Sequence, residues 1–456
     1  MRVVNSAVVT DNPSLEINSY PAPPEQAVGA FPLALSLSRR KRGLFALYLL
    51  LVAAYSIRTG AFQARTNHAW MIGDWLINYS GGFVRRGLTG SLTMVLHRAT
   101  GIPLEWVVFT IQTSVFLLFL ACVYKLSQGI RWSWLMAAAL LSPATLACTV
   151  LDGGYGFRKE ILLFAALALT LCVLHWDRLK DWQFSTMLSV MLVGMALSHE
   201  GLLVAAPYFF AAVAIQTSSL RRAARICTVP FILTGIALVP VIMHHGDYAV
   251  AQAICSSVGG QMAKPGVVLV DGGVCTGAIS ALQITPSAER ASVIQVSNEF
   301  HQVRLYCLLA IPTFVPLVAL LSQFYRRNRL RFEIITLLGC TMLSLAGTAV
   351  LFYIGTDWGR WIHMQAICLL LLVMLIDRKT AAVGATEAPA RHHSLGFHAI
   401  ATLALIVYAT TWTLPAWGYD RENPGYLPVV WPTYRNSLHH FRLAVAEEIR
   451  RPTRIT

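Results

Sequence analysis

Residue types that are used in catalysis are concentrated in a few short polar segments between long apolar runs. Five such segments are residues 74–87, 152–160, 198–201, 244–303 and 356–361. Asp74 stands out, because a carboxylate at the edge of a membrane can accept the proton of a hydroxyl group. His199 and Glu200 could be an acid/base pair, or Glu200 could hold one tautomer of His199; a mutually satisfied buried pair is the structural alternative. Asp74, His199 and Glu200 are therefore the candidate catalytic residues.

Glycine and arginine follow Asp74 in an order that suits an anion. Gly81 and Gly82 permit close approach of a ligand to the backbone, and Arg85 and Arg86 supply fork-shaped donors. Backbone amides together with guanidinium groups favour phosphate or pyrophosphate. The alternative is a glycine turn before an interfacial helix whose arginines bind lipid headgroups.

Further basic residues lie in two of the other segments. Arg158 and Lys159 precede Glu160, which could neutralise them locally, and Arg360 follows Asp357, with which it could pair. Ionisable residues at membrane depth are costly and tend to mark functional sites when they face the interior of a helical bundle. The candidate substrate-binding residues are Arg85, Arg86, Arg158, Lys159, Asp357, Arg360, Trp75, Tyr79 and Trp358.

The composition indicates that membrane-spanning helices position these polar segments. Hydrophobic residues make up 56% of the 456 residues and charged residues only 13%, whereas about 25% is usual in soluble domains. A helix that crosses the bilayer needs roughly 20 apolar residues. The sequence predicts an all-α, polytopic membrane bundle of about 11 transmembrane helices, with interfacial helices in the first external loop. The predicted spans are 44–61, 103–124, 133–150, 161–176, 182–198, 201–217, 226–243, 304–324, 334–354, 362–376 and 396–415.

Basic clusters predict how this bundle is oriented. Lys and Arg fall in alternate loops, near residues 39–42, 125–131, 178–180, 221–225, 326–331 and 378–379. Because cytoplasmic loops hold an excess of basic residues, these loops are predicted to be cytoplasmic. The N-terminus is then in the cytoplasm, the C-terminus is periplasmic or external, and the polar segments face outward. The expected location is the bacterial cytoplasmic (inner) membrane.

The domain boundaries follow from the same pattern. Residues 1–43 are predicted to be a disordered cytoplasmic tail, residues 44–415 a transmembrane domain with external loops 62–102 and 244–303, and residues 416–456 an external tail. Cys255 and Cys275 share the larger external loop, which favours a disulfide bond in an oxidising compartment. Metal ligation by this pair is the weaker alternative, because no His or acidic residue stands at ligand spacing.

Several classes of function are disfavoured. The net charge of +14 is explained by topology and by contact with anionic lipid, so we predict the lipid bilayer as a partner and no nucleic acid. The sequence contains no phosphate-binding Walker loop, dinucleotide fingerprint, zincin motif or nucleophile elbow. Any energy must therefore come with the substrate or from a gradient.

In arrangement, residues 40–380 resemble the C-type membrane glycosyltransferases, which have many spans and an acidic residue in the first external loop. The resemblance implies that Asp74 acts as a base or metal ligand. The loop has no second acid beside Asp74, so the use of a divalent metal ion is left open and no metal ligands are assigned. Residues 78–87 and 357–361 are also similar to segments of bacterial envelope-polysaccharide membrane proteins.

These features together predict a membrane glycosyltransferase on the external face. Its donor would be a sugar linked to polyprenyl phosphate or pyrophosphate, and its acceptor an envelope glycan or a lipid-linked acceptor. A polymerase of polysaccharide repeat units has a similar layout and is one alternative. A transporter or flippase for lipid-linked sugar is another, as are acyl or phosphoryl transfer through His199 and an assembly factor without catalysis.

Overall fold

The structure is a computed structural model that describes residues 31–152, 155–176, 179–262, 273–299, 301–326, 331–382 and 395–416. In this part of the chain the elements are α-helices and short 3-10 turns, without β-strand. The α-helices are α1 Phe31–Arg65, α2 Gly73–Leu76, α3 Gly87–Thr100, α4 Leu104–Ser127, α5 Trp134–Leu140, α6 Cys148–Leu151, α7 Glu160–Trp176, α8 Asp181–Ser198, α9 Ala206–Thr217, α10 Leu220–Met243, α11 Tyr248–Ser257, α12 Pro286–Glu299, α13 Gln302–Arg326, α14 Arg331–Ile354, α15 Trp358–Ala382 and α16 Leu395–Thr410.

Seven helices in the described residues are long and apolar enough to cross a membrane. They are Arg40–Arg65, Leu104–Ser127, Glu200–Thr217, Leu220–Met243, Gln302–Arg326, Arg331–Ile354 and Trp358–Thr380. At about 1.5 Å of rise per residue, such helices match about 30 Å of hydrocarbon. The predicted spans 161–176 and 396–415 correspond to the shorter apolar helices α7 and α16, and 182–198 corresponds to α8. The all-α polytopic membrane fold is confirmed.

The two predicted tails lie largely outside the described residues, which begin at 31 and end at 416. Helix α1 begins at Phe31, so the last residues of the segment 1–43 are helical. In the first external loop, the predicted short helices are present as α2 and α3.

The third predicted span, 133–150, is wrong as one continuous helix. It is divided into α5 and α6 by a non-helical segment, residues 141–147. Pro143 explains the break, because proline lacks an N–H and disfavours helical geometry in the residue before it. Irregular backbone at membrane depth is tolerated only where protein surrounds it, and this segment is mostly buried. His363 Nδ1 donates to Ala144 O (2.9 Å) and Tyr408 OH contacts Ser142 Oγ (3.1 Å), which holds the broken span in place.

Helix α15 is the centre of the bundle. Its membrane-spanning window is fully buried, as expected for a helix that is apolar on all sides. Gln365 on α15 donates to Ser344 Oγ (2.9 Å) and Thr348 Oγ1 (2.8 Å) and accepts from Tyr208 OH. Polar contacts of this kind join membrane helices without leaving unsatisfied groups in hydrocarbon. They fix α15 against α9 and α14.

Two different ends of the bundle are defined by their ion pairs. At the first, which we call the basic end, Arg131 pairs with Asp377 (3.0 Å) and Lys379 with Glu333 (2.6 Å). Helix α15 runs from there to Trp358 at the opposite end, which we call the cluster end. Four of the five predicted polar segments meet there through direct ion pairs, and the fifth, 244–303, packs over residues 69–81.

Candidate functional site

The polar segments 74–87 and 152–160 are joined around the carbonyl of Phe157. Trp75 Nε1 and Gln112 Nε2 both donate to Phe157 O at 2.9 Å, and Gln112 also donates to Met71 O at 2.9 Å. Phe157 has a left-handed backbone (φ 59°), which costs roughly 1 kcal/mol or more in a non-glycine residue. These hydrogen bonds hold α2, and therefore Asp74, against residues 157–160.

Asp74 is a buried carboxylate without a hydrogen-bond donor. Asp74 is 2% exposed, and neither of its carboxylate oxygens accepts a hydrogen bond among the described residues. The nearest cation is Lys159 Nζ, 3.6 Å from Oδ1. Burial alone would raise the pKa of Asp74, but the positive charge of Lys159 and those of other nearby basic residues lower it to about 2. Asp74 is therefore ionised at neutral pH with both oxygens available to a donor.

Lys159 and Arg158 are neighbours in sequence with different surroundings. Lys159 is fully buried and donates to Arg86 O (3.2 Å). Burial lowers its pKa to about 8 against the opposing effect of Asp74. Arg158 is half-buried over the ring of Trp70, 5.5 Å from the ring centroid. Burial and then Arg360 lower the pKa of its guanidinium to about 10.

Arg158 differs from the other cations of the site in its lack of a carboxylate partner. Among the described residues, no carboxylate oxygen lies within 4.0 Å of its guanidinium, and its Nε is buried without a hydrogen bond. An unpaired charge that is partly removed from water is costly unless a ligand compensates it. Arg158 is therefore a guanidinium whose charge is not compensated by an ion pair within the described residues.

Arg85 and Arg86 converge on one carboxylate. Arg86 Nε and Nη2 donate to Glu200 at 3.1 and 2.8 Å, and Arg85 Nη1 lies 3.4 Å from the same carboxylate. Arg86 occupies a left-handed conformation (φ 66°) at the start of α3. Its carbonyl is the group that Lys159 binds. Glu200 thus fixes the two arginines that the sequence assigned to substrate binding, and the predicted catalytic role of Glu200 competes with this pairing.

Arg360 is held by two carboxylates. It pairs with Glu160 and with Asp357. The Asp357–Arg360 ion pair is the alternative to substrate binding that the sequence suggested. Arg360 is 5% exposed and Glu160 4% exposed. A small internal cavity lies directly below this pair, at the break between α5 and α6. Its polar lining residues are Thr145, Thr149, Tyr155, Glu160, Arg360 and His363.

His199 lies at the junction of α8 and the following 3-10 turn. Its Nδ1 accepts the Gly201 N–H (3.2 Å), so a neutral ring carries its proton on Nε2. Burial, then the positive charge of Arg86, holds the pKa of His199 well below its usual value. A neutral His199 with Nε2–H as a donor is the form present at neutral pH. Its ring packs against Trp361 at 6.4 Å.

The structure brings most of the predicted site residues into one group, which we call the charge cluster. Its members are Asp74, Arg85, Arg86, Arg158, Lys159, Glu160, Glu200, Asp357 and Arg360. Trp75, Tyr79 and Trp358 are instead engaged in packing. Trp75 and Trp358 donate to backbone carbonyls, and Tyr79 stacks on Phe83 at 5.3 Å.

Glu160, Glu289 and His363 were not among the site residues predicted from the sequence. Glu160 begins α7, and an acid at a helix start is ordinarily a helix-dipole partner. Arg85 and Arg86 oppose the effect of burial on Glu289, whose pKa is raised overall. Nothing near Glu289 in the sequence signals this proximity. Within the described residues, no group of three or more His, Cys, Asp or Glu side chains could hold a metal ion.

Fold and site together define a polytopic α-helical membrane protein with a buried charge cluster at one end. A sequence model of the family described as "Uncharacterised membrane protein Rv1490" matches residues 44–269. The match runs from within α1 to beyond α11 and includes three of the segments that form the cluster, namely Asp74 to Arg86, Arg158 to Glu160 and His199 with Glu200. Comparisons with curated proteins and with solved structures give no match.

Proposed function

We propose that the protein is a membrane glycosyltransferase that takes a sugar from a polyprenyl-linked phosphate donor at the charge cluster. The observation that carries this proposal is the combination of two unsatisfied groups in one buried site. Asp74 is an ionised carboxylate whose oxygens accept no hydrogen bond among the described residues. Arg158 is a guanidinium without a carboxylate within ion-pair distance in the same residues. An acceptor hydroxyl would satisfy the first and a phosphate the second.

The proposed reaction uses these two groups at the two ends of one displacement. The acceptor oxygen forms a bond to the anomeric carbon of the donor sugar while its proton passes to Asp74. The bond from the anomeric carbon to the phosphate oxygen breaks, and that oxygen keeps the electron pair. Arg158 stabilises the resulting negative charge. Asp74 later releases the proton to water.

The side of the membrane is part of the proposal. Basic residues are concentrated at the basic end, which the positive-inside rule assigns to the cytoplasm. The disulfide bond between Cys255 and Cys275 lies at the cluster end, and disulfides are typical of oxidising compartments. Both features favour a cluster that faces the outside of the cytoplasmic membrane. A nucleotide-sugar supply is absent there, which favours a lipid-linked donor.

Binding of the lipid phosphate tests the proposal directly. We expect Arg158→Ala to weaken binding of a polyprenyl phosphate by about 10- to 100-fold, because charge-assisted hydrogen bonds contribute about 1.5–3 kcal/mol. Arg158→Lys keeps the charge and loses the bidentate geometry, so an intermediate affinity is expected. The measurement is titration of the purified protein in nanodiscs with the polyprenyl phosphate.

Arg331→Ala is the matched control for this experiment. Arg331 is also stacked on an aromatic ring, Tyr325, at 5.6 Å, but it lies at the start of α14, at the basic end. We expect unchanged affinity in this variant. Equal affinities of wild type and Arg158→Ala would overturn the assignment of the phosphate to Arg158.

A flippase or transporter for the same lipid-linked sugar is the second candidate. The observation in its favour is that all cations of the cluster except Arg158 already pair with carboxylates of the chain. Such a network can exchange partners during a conformational change. Detergent solution distinguishes the two functions. A transferase still forms a glycosidic bond there, whereas a carrier has no two compartments between which it could move the lipid. Lipid movement across liposomes without bond formation would favour the carrier.

A further inference from the structure

Two parts of the external loop 244–303 hold opposite ends of the segment that carries Asp74. The first part is α11, which packs on residues 78–81. Asn78 Nδ2 donates to Ser257 Oγ at 3.0 Å. Gly81 approaches α11 so closely that a β-carbon at this position would lie 2.9 Å from Val250 O. Residues beyond α2 are therefore fixed by α11.

The second part is residues 273–278, which contact the beginning of the same segment. The Ala278 N–H donates to Ala69 O at 3.4 Å. A β-carbon on Gly277 would lie 2.7 Å from Ala69 O, and one on Gly73 would lie 2.5 Å from Val274 O. Gly73 immediately precedes Asp74. The chain before and at α2 is therefore fixed by residues 273–278.

The disulfide bond connects these two parts. Cys255 lies in α11, two residues before Ser257, and Cys275 follows Val274 directly; both cysteines are buried. We propose that the Cys255–Cys275 disulfide is a positioning element for Asp74: it joins the two halves of a clamp, residues 250–257 and 273–278, across the segment 69–81. Arg158 lies in a different loop from both halves of the clamp, and its guanidinium stacks on Trp70 of the clamped segment.

The proposal predicts a redox-dependent site. A dithiol reductant transfers two electrons and two protons to the disulfide, giving two thiols, and is itself oxidised to a cyclic disulfide. The two halves of the clamp then move independently, and the segment 69–81 opens more often. The consequence for catalysis rests on the proposed function: kcat for sugar transfer falls when Asp74 is no longer held in place.

Hydrogen–deuterium exchange on the full chain in nanodiscs tests the clamp without any substrate. We expect peptides that cover residues 69–81 to exchange about 10-fold faster after dithiothreitol treatment and in the Cys255→Ser/Cys275→Ser variant, because local opening sets the exchange rate. Peptides from the interior of α4 should not change. Cys307→Ser is the matched control, since Cys307 is a free and exposed cysteine.

Ser257→Ala provides a measurement with the disulfide intact. It removes the hydrogen bond to Asn78, so faster exchange is expected near residues 78–81 and not near residues 69–73. Unchanged exchange at 69–81 in protein whose mass shows that the Cys255–Cys275 disulfide is reduced would overturn the clamp. If the double cysteine variant fails to fold, unchanged exchange at residues 78–81 in Ser257→Ala would also overturn the clamp. Neither outcome would affect the transferase proposal, which is tested by lipid binding and transfer.

Discussion

Asp74→Asn is expected to abolish sugar transfer while the protein still folds. The substitution removes the charge and the proton-accepting capacity of the side chain and hardly changes its volume. General base catalysis contributes about 10²- to 10⁴-fold to a rate, so a loss of at least two orders of magnitude in kcat is expected. The measurement is transfer of a labelled sugar from a polyprenyl-linked donor by the purified protein.

Two further variants show whether such a loss comes from catalysis. Asp74→Asn leaves Lys159 fully buried without its carboxylate, so the double variant Asp74→Asn/Lys159→Met removes the unpaired charge and should also be folded and inactive. Asp181→Asn is the matched control, because Asp181 pairs with Arg222 at the exposed basic end. Transfer at the wild-type rate by Asp74→Asn would remove Asp74 from the catalytic role.

The Arg360 pair should produce the largest change in stability. Arg360→Leu leaves Glu160, which is 4% exposed, without a cation partner. Loss of one partner of a buried ion pair typically costs about 3–5 kcal/mol, because the remaining charge is uncompensated. We therefore expect a sharply lower melting temperature in detergent or nanodiscs, with little folded protein recovered at 37 °C.

The double variant Glu160→Leu/Arg360→Leu distinguishes an ion-pair effect from loss of packing. Replacement of a whole buried ion pair by apolar residues is often neutral or stabilising, so the double variant should recover most of the melting temperature that the single variant loses. Asp357, the second partner of Arg360, has a side chain that is 27% exposed and can remain hydrated. If Arg360→Leu has the same melting temperature as the wild type, the pair contributes nothing to stability.

The sequence by itself determined the membrane fold and the grouping of polar segments. Apolar length is a local property, since each residue of a spanning helix meets the same hydrocarbon and its transfer free energy adds to that of its neighbours. The presence of α15 could be predicted for that reason, whereas the short helices of the first loop were predicted from the amphipathic character of residues 66–98. The break at Pro143 was not predicted, because composition alone does not show that α13, α15 and α16 would surround irregular backbone.

The tertiary structure decided which charges remain available. Arg86 meets Glu200 from 114 residues away, and Arg360 meets Glu160 from 200 residues away. Such pairings depend on how helices pack and cannot be read from the spacing of residues in one segment. Five of the predicted candidates, Arg85, Arg86, Glu200, Asp357 and Arg360, consequently pair with one another or with Glu160. Arg158 instead stacks on Trp70, and Asp74 accepts no hydrogen bond among the described residues. The sequence placed many charged groups at one end of a bundle. The packing of distant helices decided which of them have partners, because a buried charge is stabilised only by the groups that the fold places beside it.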